Sequence, residues 1–218
     1  MAAPSPLVIA VDGPAASGKG TIARGLAGHF GIPHLDTGKL YRAVALHLLR
    51  WDGDPESEFS ALRAAQEIGS LLEDPELKGE AVGGVASRIS AYPSVRAALL
   101  DRQRDFAASP DGAVLDGRDI GTVIAPEASA KLFVTASTEE RARRRHAELT
   151  AAGMPVHLED VLIDIRARDE RDSHRSTAPL VQAEDALLLD TTDLTADAAL
   201  AEAIRLVSLR FPTQDLGR

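Results

Sequence analysis

The 218-residue chain contains no cysteine, which excludes disulfides and thiolate catalysis and fits a reducing cytoplasm. Aromatic residues are scarce at 4%, and the single tryptophan, Trp51, is expected to pack at the end of its helix. Basic residues are outnumbered: 24 Lys and Arg stand against 33 Asp and Glu, a formal net charge of −9. That balance disfavours general attraction to nucleic acid or to an anionic membrane. No apolar run approaches the length of a membrane span, and residues 1–6, short and broken by proline, do not read as a signal peptide. The six histidines show no metal-ligand spacing, Ser17 lacks the G-x-S-x-G frame of a hydrolase nucleophile, and an Asn-Lys-x-Asp guanine signature is absent.

What is present organises around residues 7–21, LVIAVDGPAASGKGT. Residues 7–11 form an unbroken β-rich apolar run, the pattern of a strand buried on both faces. Gly13, Pro14, Ala15, Ala16, Ser17, Gly18, Lys19, Gly20 and Thr21 then read as a phosphate-binding loop that opens a helix over 20–30. Its glycines let backbone N–H groups turn toward one point at the positive end of that helix. Lys19 adds a cation able to reach the β- and γ-phosphates of a nucleoside triphosphate. Gly20 stands where a hydroxyl residue usually follows the lysine, so either Thr21 or Ser17 is the candidate hydroxyl for Mg²⁺.

The rest of the chain alternates between the two periodicities. Strands are expected at 32–35, 113–115, 131–134 and 186–189, and helices at 38–51, 60–72, 85–89, 94–108, 138–150, 158–172 and 195–209. Ser94 and Thr195 are candidate N-caps, and Asp74-Pro75 and Gly83-Gly84 are expected turns. This alternation predicts a parallel sheet covered by helices on both faces, in one α/β domain carrying an insertion.

Two further constellations carry chemistry. Asp116-Gly-Arg118-Asp119 follows a buried strand, at the sheet edge where open α/β folds bind ligands, and a strand-terminal Asp suits Mg²⁺. Arginines 141, 143, 144 and 145 occupy one helix, and 166, 168, 171 and 175 lie on or after the next, with Gly153 between. Such a face is usually only solvated surface, but downstream of a phosphate loop it reads as a lid closing over phosphate. Arg144, Arg145, Arg168 and Arg175 are the expected participants, and at least two of the others are expected in surface ion pairs.

These segments, with LDTGKLYRAVA, VRAALLDRQRDF, LDGRDIGTVI, RARDERDSHRSTAPL and LLLDTTDLT in order, resemble the bacterial cytidylate kinases over residues 8–209. The resemblance implies a phosphate-loop kinase fold spanning 1–218 as one domain, with the loop at 13–21. It also implies an inserted nucleoside-monophosphate lobe near 52–92 and a short lid near 148–160. The implied reaction passes the γ-phosphoryl of Mg-ATP to CMP or dCMP. Thr37, Tyr41, Arg42 and Arg118 would meet the acceptor phosphate and its surroundings, with Asp116 beside them. Ser87, Arg96 and Asp119 would read the base, and Arg168 and Asp172 the ribose. Arg175 would lie near the phosphates. Lys19, Arg118, Arg144, Arg145 and Arg175 would be the catalytic cations, in a cytoplasmic enzyme that is a monomer by default.

Residue chemistry agrees with that assignment. Cytosine offers an amino donor at N4 that a carboxylate such as Asp119 accepts, whereas uracil presents a carbonyl there. No general base is needed, because the attacking phosphate oxygen is already anionic, and catalysis reduces to positioning and neutralisation. A phosphate-loop kinase acting on UMP, AMP or a small metabolite would be told apart at Asp119 and Arg96, whereas a nucleotide-binding switch needs no second arginine-rich acceptor pocket.

Overall fold

The computed structural model describes residues 6–211; the expectation for residues 1–6 therefore lies, but for Pro6, outside the described residues. Strand β1 (Val8–Asp12) pairs in parallel with β3 (Ala113–Gly117) on one side and with β4 (Ala130–Thr135) on the other. That central place explains its unbroken apolar run, since neither face meets water. β2 (His34–Asp36) extends the sheet beyond β3, and β5 (Leu187–Asp190) beyond β4. The order among the described residues is β2-β3-β1-β4-β5. Register sets Asp12 opposite Gly117, and Asp36 opposite Asp116, so three carboxylates gather at one carboxyl edge.

Helices cover both faces of the sheet. Ile9 and Val11 pack against Ile22 and Leu26 of α1 (Lys19–Phe30), and against Ala203 and Val207 of α8 (Ala196–Arg210). On the reverse face Ala10 and Leu115 meet Ile120, Ile124 and, from helix Pro93–Ala107, Leu100 and Phe106. Each large side chain buried this way contributes about 1.5–3 kcal/mol relative to exposure.

A second core lies beside the sheet. It joins Leu40, Val44 and Leu48 of α2 (Thr37–Arg50) to Ala61 and Ala64 of α3 (Glu58–Ala65). Val82, Val85 and Ile89 of α4 (Glu80–Ile89) complete it, with Val95 and Leu99 of α5 (Pro93–Ala107). A third, smaller cluster holds α6 (Thr138–Ala151) to α7 (Leu158–His174) through Ala142, Leu149, Val161 and Ile165, and rests on Ala15 of the loop. No helix among the described residues is long and apolar enough to cross a membrane.

Local details depart from the sequence expectations at four places. Helix 60–72 is shorter than expected: α3 ends at Ala65, and tight 3₁₀ turns follow at Gly69–Leu71 and Pro75–Lys78 as Ile68 turns into the core. Gly83-Gly84 is no turn but the middle of α4, where apolar residues at helical spacing outweigh a glycine cost of about 1 kcal/mol each. Ser94 is not the cap of α5. Pro93 fills the first helical position, and the Ser94 N–H and hydroxyl both donate to Glu58 Oε1, at 3.0 and 2.7 Å. Trp51 does end α2, but half in solvent, with the Arg63 guanidinium 4.3 Å above its ring.

Candidate active site

The loop between β1 and α1 is shaped by what it cannot contain. A Cβ at Gly13 would sit 2.0 Å from the Val134 carbonyl oxygen, so only glycine fits. Gly18 has φ +86, and its N–H-lined turn delivers Lys19 to the start of α1. The Lys19 ammonium donates to the Pro14 carbonyl at 3.3 Å. Burial, aided by the nearby Arg118 cation, lowers its pKa to about 7, although Asp116, Asp36 and Asp172 pull the other way.

In front of this loop opens a cleft of about 320 Å³, the size class of a nucleotide site. Ala15, Ala16, Gly18, Lys19, Gly20 and Thr21 form its floor. Its far end is built by α2, which brings Thr37, Tyr41 and Arg42, by α4 with Ser87, and by α5 with Arg96. The end of β3 supplies Asp116, Arg118 and Asp119, while α6 and α7 with the residue after it supply Arg145, Arg168, Asp172 and Arg175. Residues spread over more than 150 positions of sequence thus share one wall-to-wall cavity.

Charge in this cleft is paired but unevenly. Asp119 accepts from Arg96 and has Arg175 Nη2 at 3.6 Å; burial raises its pKa against the pull of both cations. The Arg96 guanidinium also stands 5.8 Å over the Tyr41 ring. Arg118 Nε donates to Asp172 Oδ2 at 2.7 Å. Burial opposes ionisation of Asp172, but Arg118, Arg175 and Arg168 outweigh it and hold its carboxyl below the usual range. Burial lowers the basicity of Arg168 and Arg175, and the neighbouring guanidiniums of Arg118 and Arg96 respectively lower it further. Crowded guanidiniums in one cleft gain most from an anion placed between them.

Four of the expected residues do not line the cleft. Gly13, Pro14 and Ser17 form the back of the loop rather than the cavity lining, and the Ser17 hydroxyl is fully buried without a partner among the described residues. Of the two candidate hydroxyls, only Thr21 faces the cleft. Arg144, expected over the transferring phosphate, is held by other acceptors. It donates to the Thr191 carbonyl at 2.6 Å, to the Thr191 hydroxyl at 2.9 Å and to Glu140 at 3.1 Å. Thr191 in turn donates to the Ser17 carbonyl at 3.1 Å, so Arg144 braces the loop from behind. Arg143 and Arg166 make exposed ion pairs with Glu140 and Glu139, as expected of surface arginines.

Several contributors have roles that the sequence does not mark individually. Arg141 forks onto Asp169 at 2.9 and 2.6 Å and donates to the Ala15 carbonyl at 3.3 Å, fixing the loop from the helix side. His34 Nε2 lies 2.7 Å from Asp116 Oδ1, and the Asp116 carbonyl accepts the Thr37 hydroxyl at 2.8 Å. Asp36, which lines the cleft, caps α2 by accepting the Lys39 N–H at 3.1 Å. Asp12 is buried among the sheet-edge carboxylates. His34 and Asp12 become informative only once β2, β3 and β1 are set side by side.

A parallel α/β sheet whose central strand feeds a glycine-lysine loop into a helix, with arginines converging in front, defines a phosphate-loop kinase. Within that class, the family model for cytidylate kinase matches residues 9–209, and the chain belongs to the cytidylate kinase family. Among similar curated proteins are the cytidylate kinases of Xanthobacter autotrophicus and of a Methylobacterium species. The first is 58% identical over 205 residues, covering 94% of this chain and 98% of the relative. The second is 58% identical over 207 residues, covering 94% and 99%. A crystal structure of an uncharacterized protein from Eubacterium ventriosum shares the fold alone, with TM-score 0.56 at 17% identity over 93% of this chain and 98% of that one.

Proposed function

We propose that the protein transfers the γ-phosphoryl of Mg-ATP to CMP or dCMP, giving ADP and CDP or dCDP. The observation that carries this is one cleft with Lys19 and the phosphate loop at one end and a buried Asp119 beside Arg96 at the other. Donor phosphates would lie on the loop amides and Lys19, and the acceptor phosphate between Arg42 and Arg118. Asp119 would accept the cytosine N4 amino group, with Arg96 and Ser87 completing the base edge. Asp172 and Arg168 would take the ribose. We assign α2–α5 to the acceptor-binding lobe and the α6–α7 hairpin to the lid.

The donor set suits Mg²⁺, which prefers one or two hard oxygen ligands and keeps several waters. Thr21 and the carboxylates of Asp116 and Asp36 face the same cleft and would hold it, directly or through water. When bound with ATP, Mg²⁺ would neutralise charge between the β- and γ-phosphates. The remaining work falls to the chain: Lys19, Arg118, Arg145 and Arg175 offset repulsion between two polyanions and align them. Asp119, already paired with Arg96, would discriminate because its acceptor site toward the base would face the uracil carbonyl with no donor, a cost of about 1–3 kcal/mol. A cytoplasmic monomer is the proposed working form.

The test is ADP release from Mg-ATP with CMP, dCMP, UMP and AMP supplied separately. Strong turnover with CMP and dCMP and little with the others is the expected result. Turnover favouring AMP or UMP would overturn the acceptor assignment, and ATP binding without turnover would overturn the enzyme.

A further inference from the structure

Asp12 does not line the cleft, yet its buried carboxylate is fully committed. Oδ1 accepts the Ile120 N–H at 2.8 Å and Oδ2 accepts the Gly121 N–H at 2.7 Å. Those two amides open a wide turn over Ile120–Ile124, in which Ile124 N–H reaches back to the Asp119 carbonyl and Ala125 N–H to that of Ile120. Turns of this width are rare and concentrate at functional sites. The residue from which this one springs is Asp119.

The turn is pinned from a second side. A Cβ at Gly121 would stand 3.1 Å from Lys131 Cδ and 3.4 Å from Asp12 Oδ2, so backbone, carboxylate and lysine stem are in close contact. Lys131 is itself buried, and its ammonium donates to Asp185 at 2.9 Å. Asp12 also immediately precedes Gly13. One strand end therefore anchors both the phosphate loop and the turn that presents Asp119.

We infer that Asp12 is a positioning residue that sets acceptor-base specificity by fixing Asp119 relative to the phosphate loop. The inference rests on the cytidylate reading above. An ionised aspartate presents acceptors to both amides, whereas asparagine must turn its NH₂ toward one of them and leaves that N–H unpaired. A turn held at one amide rather than two lets the Asp119 carboxylate drift from hydrogen-bond range of the N4 amino group. Discrimination is lost first, because it depends on that single contact.

The experiment compares kcat and KM for CMP and for UMP, at saturating Mg-ATP, in the wild type, Asp12→Asn and Gly121→Ala. In Asp12→Asn the CMP to UMP ratio of kcat/KM is expected to fall about tenfold to a hundredfold, mainly through KM for CMP, with KM for ATP within about twofold. Gly121→Ala displaces the same turn without changing charge and should lower the ratio in the same direction. It also decides the matter if Asp12→Asn fails to fold. A purely structural role would lower kcat with every acceptor alike and leave the ratio unchanged, which would overturn the inference. A wild type inactive with CMP would overturn the cytidylate reading and this inference with it. Variants that match a CMP-active wild type overturn the inference alone.

Discussion

Binding of Mg-ATP at pH 8 should draw a proton onto Lys19. In the free protein, burial and the nearby Arg118 hold this lysine near pKa 7, so about one molecule in ten carries the proton at pH 8. A triphosphate in the loop brings several negative charges within hydrogen-bond reach and should raise the pKa by two units or more. The expected uptake is then about 0.9 proton at pH 8 and about 0.5 at pH 7, falling toward zero at pH 6, where Lys19 is already charged. ATP itself is deprotonated at pH 8, its last phosphate pKa lying well below, so the proton must go to the protein. Calorimetric titration with Mg-ATP in two buffers of different ionisation enthalpy reads the uptake directly. Lys19→Arg keeps its charge at every accessible pH and should abolish it. No uptake at pH 8, or an uptake that survives Lys19→Arg, would refute the reasoning. The same shift makes the ligand-free fold more stable as pH rises. Between pH 7 and 10.5 the unfolded chain holds more protons on this lysine than the folded one, so its penalty is complete below pH 7 and gone above 10.5.

Asp119→Asn should narrow the CMP to UMP preference about tenfold to a hundredfold, because the amide can donate to the uracil carbonyl; an unchanged ratio in acceptor assays would count against base reading by Asp119. Arg145 is paired with Glu80 of α4 and with Glu148, so Glu80→Gln should release it toward phosphate and lower KM for ATP about twofold to fivefold, whereas Arg145→Ala should raise that KM. An identical response of the two variants would make the pair a structural strut instead. Gly13→Ala forces a Cβ onto the Val134 carbonyl and should cost about 3 kcal/mol or more in denaturant unfolding, with loss of ATP binding in whatever folds.

Legibility in the sequence followed the range of the interactions. The phosphate loop was readable because every part of it is local: strand, glycines, Lys19 and helix start lie within fifteen residues. Gly83-Gly84 is a turn signal on its own, and only the packing of Val82, Val85 and Ile89 against α2 outweighs it to make the middle of α4. Arg144 and Arg141 illustrate the same limit. Both sit on a helix face rich in arginine, and nothing in RARRR says that Arg145 enters the cleft, Arg144 clasps Thr191 and Arg141 supports Ala15.

The sequence by itself determined the alternation of strands and helices, the loop that takes phosphate and the set of cations and carboxylates from which a cleft could be made. Those features are written in periodicity and short spacing, which act along the chain. Only the tertiary structure decided which members of that set meet. It placed β1 between β3 and β4, set Asp12 against the turn after Asp119, turned Thr21 outward and Ser17 inward, and paired Asp116 with His34. These choices depend on strand order and register, which are fixed by burial across the whole domain rather than by neighbours in sequence.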